Sequence, residues 1–214
     1  MTSKAIADFR KDYTAAGLSE GDAGSDPHEL FLHWFEQAVQ AGLHEPNAMT
    51  LATASPEGKP SARVVLLKNL DETGFTFFTN YNSRKGLEIE ANPFGALVFL
   101  WHELERQVRI EGRIVKVTEA ESDEYYAIRP LGSRLGAWAS PQSTVIVGRE
   151  TLERQQAELT TKHSDGIVPR PSHWGGYRVE PVAVEFWQGR PSRLHDRIRF
   201  RLDGKSWIRE RLAP

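Results

Sequence analysis

Apolar residues recur at helical spacing in the stretch between Asp26 and Gly42. The residues that share one face of this stretch are Leu30, Trp34, Ala38 and Ala41. Intervals of three and four residues place side chains on the same side of an α-helix. Asp26 followed by Pro27 is a typical helix start, and Gly42 is a typical stop. The pattern predicts an amphipathic helix between these two signals.

From Met49 onward the pattern changes to short segments rich in Val, Leu, Phe and Thr, a composition typical of β-strands. The segments are Met49–Ala54, Ser61–Leu70, Phe75–Asn80, Ala96–Leu104, Arg106–Val117, Val179–Trp187, Ile198–Leu202 and Trp207–Leu212. Short turns such as Pro56–Gly58 and Asp203–Gly204 separate several of them. Because short connections join antiparallel neighbours, we expect an antiparallel sheet or barrel.

Three polar helices are predicted among these strands. One begins at Ser83, and the others span Glu119–Ile128 and Arg149–Lys162. Residues 1–25 form a polar stretch that we expect to be a mobile N-terminal arm. The sequence contains no internal repeat, low-complexity tract or linker, so we predict a single α+β domain over residues 1–214 with helices flanking the sheet.

Composition narrows the classes of ligand. The 214 residues include 27 Lys and Arg against 29 Asp and Glu, a formal net charge of −2. With no basic field to attract nucleic acid or an anionic membrane, any bound anion needs a local cluster of cations. The chain has no Cys, which excludes disulfides and Cys-based metal sites, and its seven His residues lack metal-ligand spacing. No metal is therefore predicted.

The sequence also bears on location. The most apolar short run, Ala96–Trp101, is far too short to span a bilayer, and the N-terminal residues do not resemble a signal peptide. A cytoplasmic protein without a membrane partner is expected.

A dense cluster of basic residues lies in the segment RPSRLHDRIRFRL, which begins at residue 190. If the segment is one strand, alternation places on one face Arg193, His195, Arg197, Arg199 and Arg201. Like charges in a row repel unless water or an anion screens them. The face is therefore either a solvated sheet surface or an anion site, since Arg offers planar recognition of phosphate. The spacing alone leaves both interpretations open.

Two more cationic groups precede this segment. Arg63 and Lys68 bracket an apolar run, and simple strand alternation predicts that their side chains lie on opposite faces. Arg84 and Lys85 follow Ser83 at a predicted helix start, where the helix dipole favours an anion. They are either solvated first-turn residues or part of a phosphate site. No GxGxxG or GxxxxGK[ST] motif is present, which argues against a Rossmann or P-loop site.

Nine ordered blocks of sequence resemble the pyridoxine/pyridoxamine 5'-phosphate oxidase family. They are RVVLLK (63–68), FFTNYNSRKG (77–86), WHELERQV (101–108), YYAIRPLGSRLGAWAS (125–140), PQS (141–143), PSHWGGYRV (171–179), EFWQG (185–189), RLHDR (193–197) and RLAP (211–214). The similarity runs from about Arg10 to the last residue. It implies an FMN-binding antiparallel split β-barrel that works as a homodimer, with FMN at the subunit interface.

The resemblance also implies site residues. The expected FMN contacts are Arg63, Val64, Val65, Leu66, Leu67, Lys68, Phe78, Thr79, Arg84, Lys85, Gln107, Gln142, Ser143, Trp187 and Arg197. The expected substrate contacts are Arg10, Tyr13, Lys68, Tyr125, Arg129, Ser133, Arg193 and His195. Among these, Lys68, Tyr125, Arg129 and Ser133 would hold the substrate phosphate, and Arg10 and Tyr13 would cover the substrate.

The activity implied by the resemblance is FMN-dependent oxidation of pyridoxine 5'-phosphate or pyridoxamine 5'-phosphate to pyridoxal 5'-phosphate. Dioxygen would reoxidise the flavin and release hydrogen peroxide, with ammonia as a further product of the amine. Arg193 and His195 would be the catalytic residues, with Arg193 fixing the pyridine ring and His195 orienting or accepting from the 4' substituent. The alternatives are another flavin- or deazaflavin-dependent reductase on the same barrel and a non-catalytic flavin or pyridoxal-phosphate carrier.

Overall fold

The computed structural model describes Tyr13 and residues 17–214, so Arg10 lies outside the described residues. The helices are α1 (Glu20–Ala23), α2 (Pro27–Gln40), α3 (Arg84–Ala91), α4 (Glu119–Ala127), α5 (Leu131–Ala139) and α6 (Arg149–Lys162). The strands are β1 (Ala48–Ala54), β2 (Pro60–Leu66), β3 (Asn69–Asp71), β4 (Gly74–Asn80), β5 (Phe94–Trp101), β6 (Arg106–Lys116), β7 (Trp174–Gln188), β8 (Asp196–Asp203) and β9 (Ser206–Leu212).

The strands form one sheet in the order β2-β1-β5-β6-β7-β4-β3, and β8 pairs with both β7 and β9. The β3–β4, β4–β7, β7–β8 and β8–β9 pairs are antiparallel. The long strand β7 therefore pairs with β4 through its first half and with β8 through its second. This arrangement confirms the predicted α+β class and the antiparallel strand pairing.

The chain divides into two compact units, both made of separate segments. Of the described residues, the first unit comprises Tyr13, 17–50, 96–111 and 181–214, and the second comprises 51–95 and 112–180. In the first unit Phe31 of α2 packs edge-on against Phe99 with ring centroids 5.0 Å apart, and Trp34 packs on Phe186 at 5.3 Å. Leu30, Trp34 and Ala38 of the predicted apolar face are buried, whereas Ala41 is exposed because α2 ends at Gln40.

The second unit has its own aromatic core on β4 and β7. Phe77 and Tyr177 are almost fully buried, with ring centroids 5.8 Å apart. At the first residue of β7, Trp174 packs against Tyr126 of α4 and Ala137 of α5. Helices α4 and α5 are thereby fixed at the start of β7. The expectation of a single domain over residues 1–214 stays a prediction.

Most boundaries agree with the sequence pattern, but the helices α1 and α5 were not predicted, and the strand predicted over Ser61–Leu70 is divided into β2 and β3. The cap of α2 forms as expected, with the His28 amide donating to the Asp26 carboxylate at 2.8 Å, and α6 has the predicted bounds. Helix α5 was not predicted because Gly132 and Gly136 weaken helix propensity. Packing stabilises it instead, since α5 buries Leu135, Ala137 and Ala139.

Candidate functional site

A cavity of about 550 Å³ opens in the second unit. Most of the residues assigned by resemblance to this unit line it, namely Arg63, Val64, Val65, Leu66, Lys68, Phe78, Thr79, Lys85, Tyr125, Arg129, Ser133 and Gln142. A larger cavity of about 720 Å³ lies between α5 and α6 and contains none of the expected site residues. Because the smaller cavity collects cations and neutral donors, it is the candidate site.

Arg63 and Lys68 line the same cavity, so the prediction that they lie on opposite faces is wrong. Strand β2 ends at Leu66, before the segment reaches Lys68. Leu67 is buried, and the Lys68 amide donates to the Thr76 carbonyl at 2.8 Å. The backbone therefore leaves the β2 ladder after Leu66, and strict alternation no longer applies. Leu67 is a core residue and does not line the cavity.

Lys85 anchors a hydrogen-bonded cluster at the start of α3. Its Nζ donates to the Gln142 side-chain oxygen at 2.8 Å and to the Thr79 hydroxyl at 3.2 Å. The Thr79 hydroxyl also donates to the same Gln142 oxygen at 3.1 Å. Burial lowers the pKa of Lys85, and the nearby Arg63 charge lowers it further. Within Tyr13 and residues 17–214 no carboxylate forms an ion pair with Lys85, so its charge remains available to an anion.

Arg63 is held differently, by the largely buried carboxylate of Glu88, which is not among the predicted site residues. One oxygen of Glu88 lies 3.2 Å from the Arg63 guanidinium and accepts hydrogen bonds from the Thr53 and Ser61 hydroxyls, both at 2.5 Å. The other oxygen accepts from Arg84 at 2.8 Å. The spacing of Arg84 and Glu88, four residues apart on a helix, was the available signal.

Glu88 is ionised across the ordinary pH range. Burial by itself would raise the pKa of this carboxyl, but hydrogen bonds from Ser61, Thr53 and Arg84 lower it to about 2. Arg84 itself is two-thirds exposed. Arg84 and Ser143 line a neighbouring cavity of about 470 Å³, and Gln142 contributes to both cavities.

We expect Glu88→Gln to lower the melting temperature at neutral pH. The difference in melting temperature between the variant and the parent protein should become smaller in acid. A carboxyl whose pKa falls from 4.5 to about 2 on folding stabilises the protein fully above pH 4.5. That contribution is lost as pH falls from about 4.5 towards 2. Thermal unfolding between pH 7 and pH 3.5 measures it, with the exposed Glu90→Gln on the same helix as control. A loss that does not change with pH would contradict the assignment.

The connection between α4 and α5 forms the other end of the cavity. Arg129 directly precedes Pro130, the N-cap residue of α5, and Ser133 lies in the first turn of this helix. No side chain of the described residues caps the helix start. The Arg129 guanidinium lies over the Trp174 ring at 4.4 Å, and its buried Nη1 has no hydrogen-bond partner among the described residues. Burial lowers the pKa of Arg129, whereas the neighbouring tyrosines raise it. An unpaired cation beside an uncapped helix start favours an anion.

The remaining expected residues belong to the first unit. There the rings of Tyr13, Trp187 and His195 form a cluster, with centroids 4.7 Å apart for Trp187 and His195 and 5.6 Å apart for Tyr13 and Trp187. The Arg190 amide lies 3.1 Å from His195 Nδ1. Because a backbone amide can only donate, Nδ1 accepts, and the neutral ring carries its proton on Nε2. Gln107 lies half-buried on β6.

The basic segment near the C-terminus is only partly a strand. Strand β8 begins at Asp196, and Arg193 precedes it with a left-handed φ of 62°. Arg193 and His195 therefore do not continue the strand face, and that part of the prediction is wrong. Two residues with positive φ, Ser192 and Arg193, turn the chain just before the strand.

The arginines that do lie on β8 are paired with carboxylates. Arg197 donates to buried Glu185 at 2.9 Å and to the Ala213 carbonyl at 2.9 Å. Arg199 lies 2.5 Å from Glu210 on β9, and Arg201 lies 3.7 Å from the same residue. For Arg199 and Arg201 the ion pairs explain the row of charges without a bound anion.

Two further observations concern the described part of the chain, Tyr13 and residues 17–214. No three of its His, Asp or Glu side chains come together as a group that could hold a metal ion. None of its helices combines the length and apolar character needed to cross a membrane.

Comparison with known proteins gives concordant results. Residues 35–163 match the pyridoxamine 5'-phosphate oxidase family model, and residues 174–214 match the pyridoxine 5'-phosphate oxidase C-terminal dimerisation region. A pyridoxine/pyridoxamine 5'-phosphate oxidase of Cyanothece sp. is 59% identical over 98% of both chains. One from Pseudomonas fluorescens is 57% identical over 99% of this chain and 100% of its own.

Solved structures share the fold. PhzG from Burkholderia lata, in complex with tetrahydrophenazine-1-carboxylic acid, superposes with a TM-score of 0.87 at 34% identity over 94% of this chain and 99% of its own. An FMN-binding protein of Nostoc punctiforme related to pyridoxamine 5'-phosphate oxidase gives a TM-score of 0.71 at 16% identity over 88% of this chain and 98% of its own. These matches confirm the predicted α+β split-barrel class. The chain belongs to the pyridoxine/pyridoxamine 5'-phosphate oxidase family.

Proposed function

We propose that this protein oxidises pyridoxine 5'-phosphate or pyridoxamine 5'-phosphate to pyridoxal 5'-phosphate, with FMN as cofactor and dioxygen as acceptor. The observation that carries the proposal is the unpaired, partly buried guanidinium of Arg129. It shares a cavity with Lys68, Tyr125 and Ser133, which add one more cation and two hydroxyl groups. A phosphate monoester supplies the charge and the acceptors that this set lacks.

The cavity also carries a second set of cations, which a second phosphorylated ligand such as FMN would need. Arg63 and Lys85 also line the cavity, and they come from segments of the chain that do not contain Arg129. Thr79 and Gln142 add neutral hydrogen-bonding groups. We propose that these four residues hold FMN, with the backbone of residues 64–66 beside them. In a chain with a net charge of −2, two local cation sets are what two phosphate-bearing ligands need.

We propose a homodimer with FMN at the subunit interface. Residues 174–214 match the dimerisation region of the family. Two of the expected flavin contacts, Trp187 and Arg197, fall within this region, whereas Arg63 and Lys85 belong to the second compact unit. The proposed set of flavin contacts is completed by Lys68, Phe78, Arg84, Gln107 and Ser143. The expected cytoplasmic location stays a prediction.

FMN, when bound, would supply an acceptor for a hydride equivalent from the 4' carbon of the substrate, and dioxygen would take up the two electrons to give hydrogen peroxide. The protein contributes binding and orientation. Lys68 and Arg129 hold the phosphate and thereby fix the position of the pyridine ring. The imine produced from the amine substrate reacts with water and releases ammonia.

Arg193 and His195 are the proposed catalytic residues. Since His195 Nδ1 accepts from the Arg190 amide, the neutral ring presents Nε2–H and donates a hydrogen bond to the 4' substituent. Of the two roles expected for His195, orienting the 4' substituent or accepting from it, this assignment favours orienting. Arg193 is exposed and stands in a left-handed conformation, which costs about 1–3 kcal/mol and is typical of functional sites. Its charge is proposed to fix the pyridine ring.

Peroxide release and pyridoxal 5'-phosphate formation in air test the activity directly. We expect both from the FMN-loaded protein, in equal amounts, with each substrate assayed in parallel. A non-catalytic carrier would bind the substrate without turnover, and a reductase would need a reduced nicotinamide or deazaflavin donor instead of oxygen. Either outcome would contradict the proposed function.

We expect the purified protein to be yellow and to release FMN on denaturation. Arg63 and Lys85 suit a single terminal phosphate, whereas FAD carries a diphosphate and an adenosine. Chromatography of the released pigment against FMN and FAD standards distinguishes the two. Release of FAD, or no retained flavin after incubation with FMN, would count against the cofactor assignment.

A further inference from the structure

We propose that Trp174 is a positioning residue for phosphate binding, because its indole ring holds the Arg129 guanidinium in place without neutralising it. The inference rests on the proposed function, in which Arg129 binds the substrate phosphate. Trp174 has no assigned role in that function. Its indole is almost fully buried, yet it forms part of the cavity wall.

The geometry is that of a cation held on a ring face. The guanidinium carbon of Arg129 lies 4.4 Å from the Trp174 ring centroid and 5.7 Å from that of Tyr126. No carboxylate pairs with Arg129 within the described ranges, and its buried Nη1 lacks any hydrogen-bond partner there. Contact with the two rings therefore takes the place that an ion pair has for Arg63 and Arg197.

This choice of partner matters for binding. A carboxylate beside Arg129 would neutralise its charge and use the N–H donors that a phosphate needs. An aromatic face attracts the cation through the ring quadrupole and contacts the flat side of the guanidinium. The donors at its edge stay available, and the side chain is already ordered before the ligand arrives. Trp is the most effective residue for this contact.

Trp174 is in turn fixed by a stack of rings. Phe78 lies parallel to it, with an interplanar angle of 12° and centroids 5.5 Å apart. Tyr125 stacks on Phe78 at 4.0 Å. Gly176 permits this stack, since a Cβ there would come within 2.8 Å of the Phe78 ring. The stack thus links Tyr125, an expected phosphate contact, to the ring that holds Arg129.

The test compares Trp174→Phe and Trp174→Leu with the parent protein, all loaded with FMN. We expect the Kd of pyridoxal 5'-phosphate, measured by calorimetry, to rise in the order Trp, Phe, Leu. The Leu variant should reach about 3- to 30-fold, the range of a partly desolvated cation–π contact. KM for pyridoxine 5'-phosphate should rise in parallel, while kcat changes less than about twofold. If Trp174→Leu does not fold, Trp174→Phe is the test on its own: a smaller rise in Kd at constant kcat supports the proposal, and an unchanged Kd contradicts it.

Two controls separate positioning from general damage. In an Arg129→Ala background Trp174→Leu should raise the Kd no further, because the effect acts through Arg129. Phe77→Leu removes a fully buried ring from the same unit that does not line the cavity, and should lower the melting temperature without changing the Kd.

An unchanged Kd in Trp174→Leu, or an equal rise in the Arg129→Ala background, would overturn the proposal. Because the Kd is measured without turnover, a parent protein that binds pyridoxal 5'-phosphate but forms no peroxide would refute the activity alone. A parent protein that does not bind pyridoxal 5'-phosphate would refute the phosphate site and this inference with it.

Discussion

We expect Arg129→Ala to raise KM for pyridoxine 5'-phosphate and pyridoxamine 5'-phosphate by on the order of 10–100-fold. One charge-assisted hydrogen bond contributes about 1.5–3 kcal/mol, which corresponds to that range. Arg129 has no ion-pair partner among the described residues, so its removal leaves no carboxylate unpaired. A change in KM can therefore be attributed to the lost phosphate contact. FMN retention should stay unchanged, since Arg129 belongs to the proposed substrate set and not to the flavin set.

Steady-state kinetics with both substrates, at saturating FMN, measures the effect. Arg149→Ala is the matched control, because Arg149 is also an arginine of the second unit but is largely exposed and pairs with Glu153 on its own helix. We expect that variant to keep its KM. If Arg129→Ala also keeps its KM, the residue does not bind the substrate phosphate.

The second large effect divides the roles of Arg193 and Arg197. Arg193→Ala should leave FMN bound and lower kcat/KM by on the order of 100-fold, because the proposed loss is substrate orientation next to the reacting carbon. Arg197→Ala should instead weaken FMN retention by on the order of 10–100-fold, with activity partly restored by excess FMN. FMN affinity by fluorescence, alongside turnover at saturating FMN, measures both.

The structure supplies a matched control on the same strand face. Arg199 pairs with Glu210 much as Arg197 pairs with Glu185, but it has no proposed ligand. Arg199→Ala should change stability by a few tenths of a kcal/mol to about 1 kcal/mol and leave flavin and turnover unaffected. If Arg193→Ala loses flavin as readily as Arg197→Ala, the division of roles is wrong. The division is also wrong if Arg197→Ala, like Arg199→Ala, leaves flavin affinity and turnover unaffected.

The contacts of Glu185 limit what Arg197→Ala can disturb. Glu185 is buried and also pairs with Arg109 at 2.8 Å. Removal of Arg197 therefore leaves the carboxylate one cationic partner, and the variant should fold. Leaving a buried charge with no partner at all would cost far more. Loss of flavin can then be attributed to Arg197 and not to collapse of the strand pair.

Local sequence signals determined the elements with strong start and stop chemistry. The Asp26 cap, the Ser83 cap and the Asp203–Gly204 turn all form where the residues predicted them. At that turn Gly204 has a φ of 62°, which suits glycine. These features depend on backbone conformation within a few residues, so the sequence is sufficient to specify them.

The ordered blocks of sequence also identified the family and most of the residues around the cavity. They could do so because a family preserves residue types at fixed positions even when the geometry is unknown. The division of those residues between two compact units is visible only in the structure. The roles in binding remain proposals, and they rest on contacts that the structure shows for Arg129 and Lys85.

Tertiary structure alone decided three features of the site. Lys68 joins Arg63 because β2 ends before it, and Arg193 leaves the strand face because positive φ values precede β8. Glu88 on α3 pairs with Arg63 on β2. Each depends on where a strand ends or on which side chain lies across the fold, and residue spacing encodes neither. The sequence by itself determined the inventory of charges and the local turns, and the packing of distant segments determined which of the charges are paired with each other.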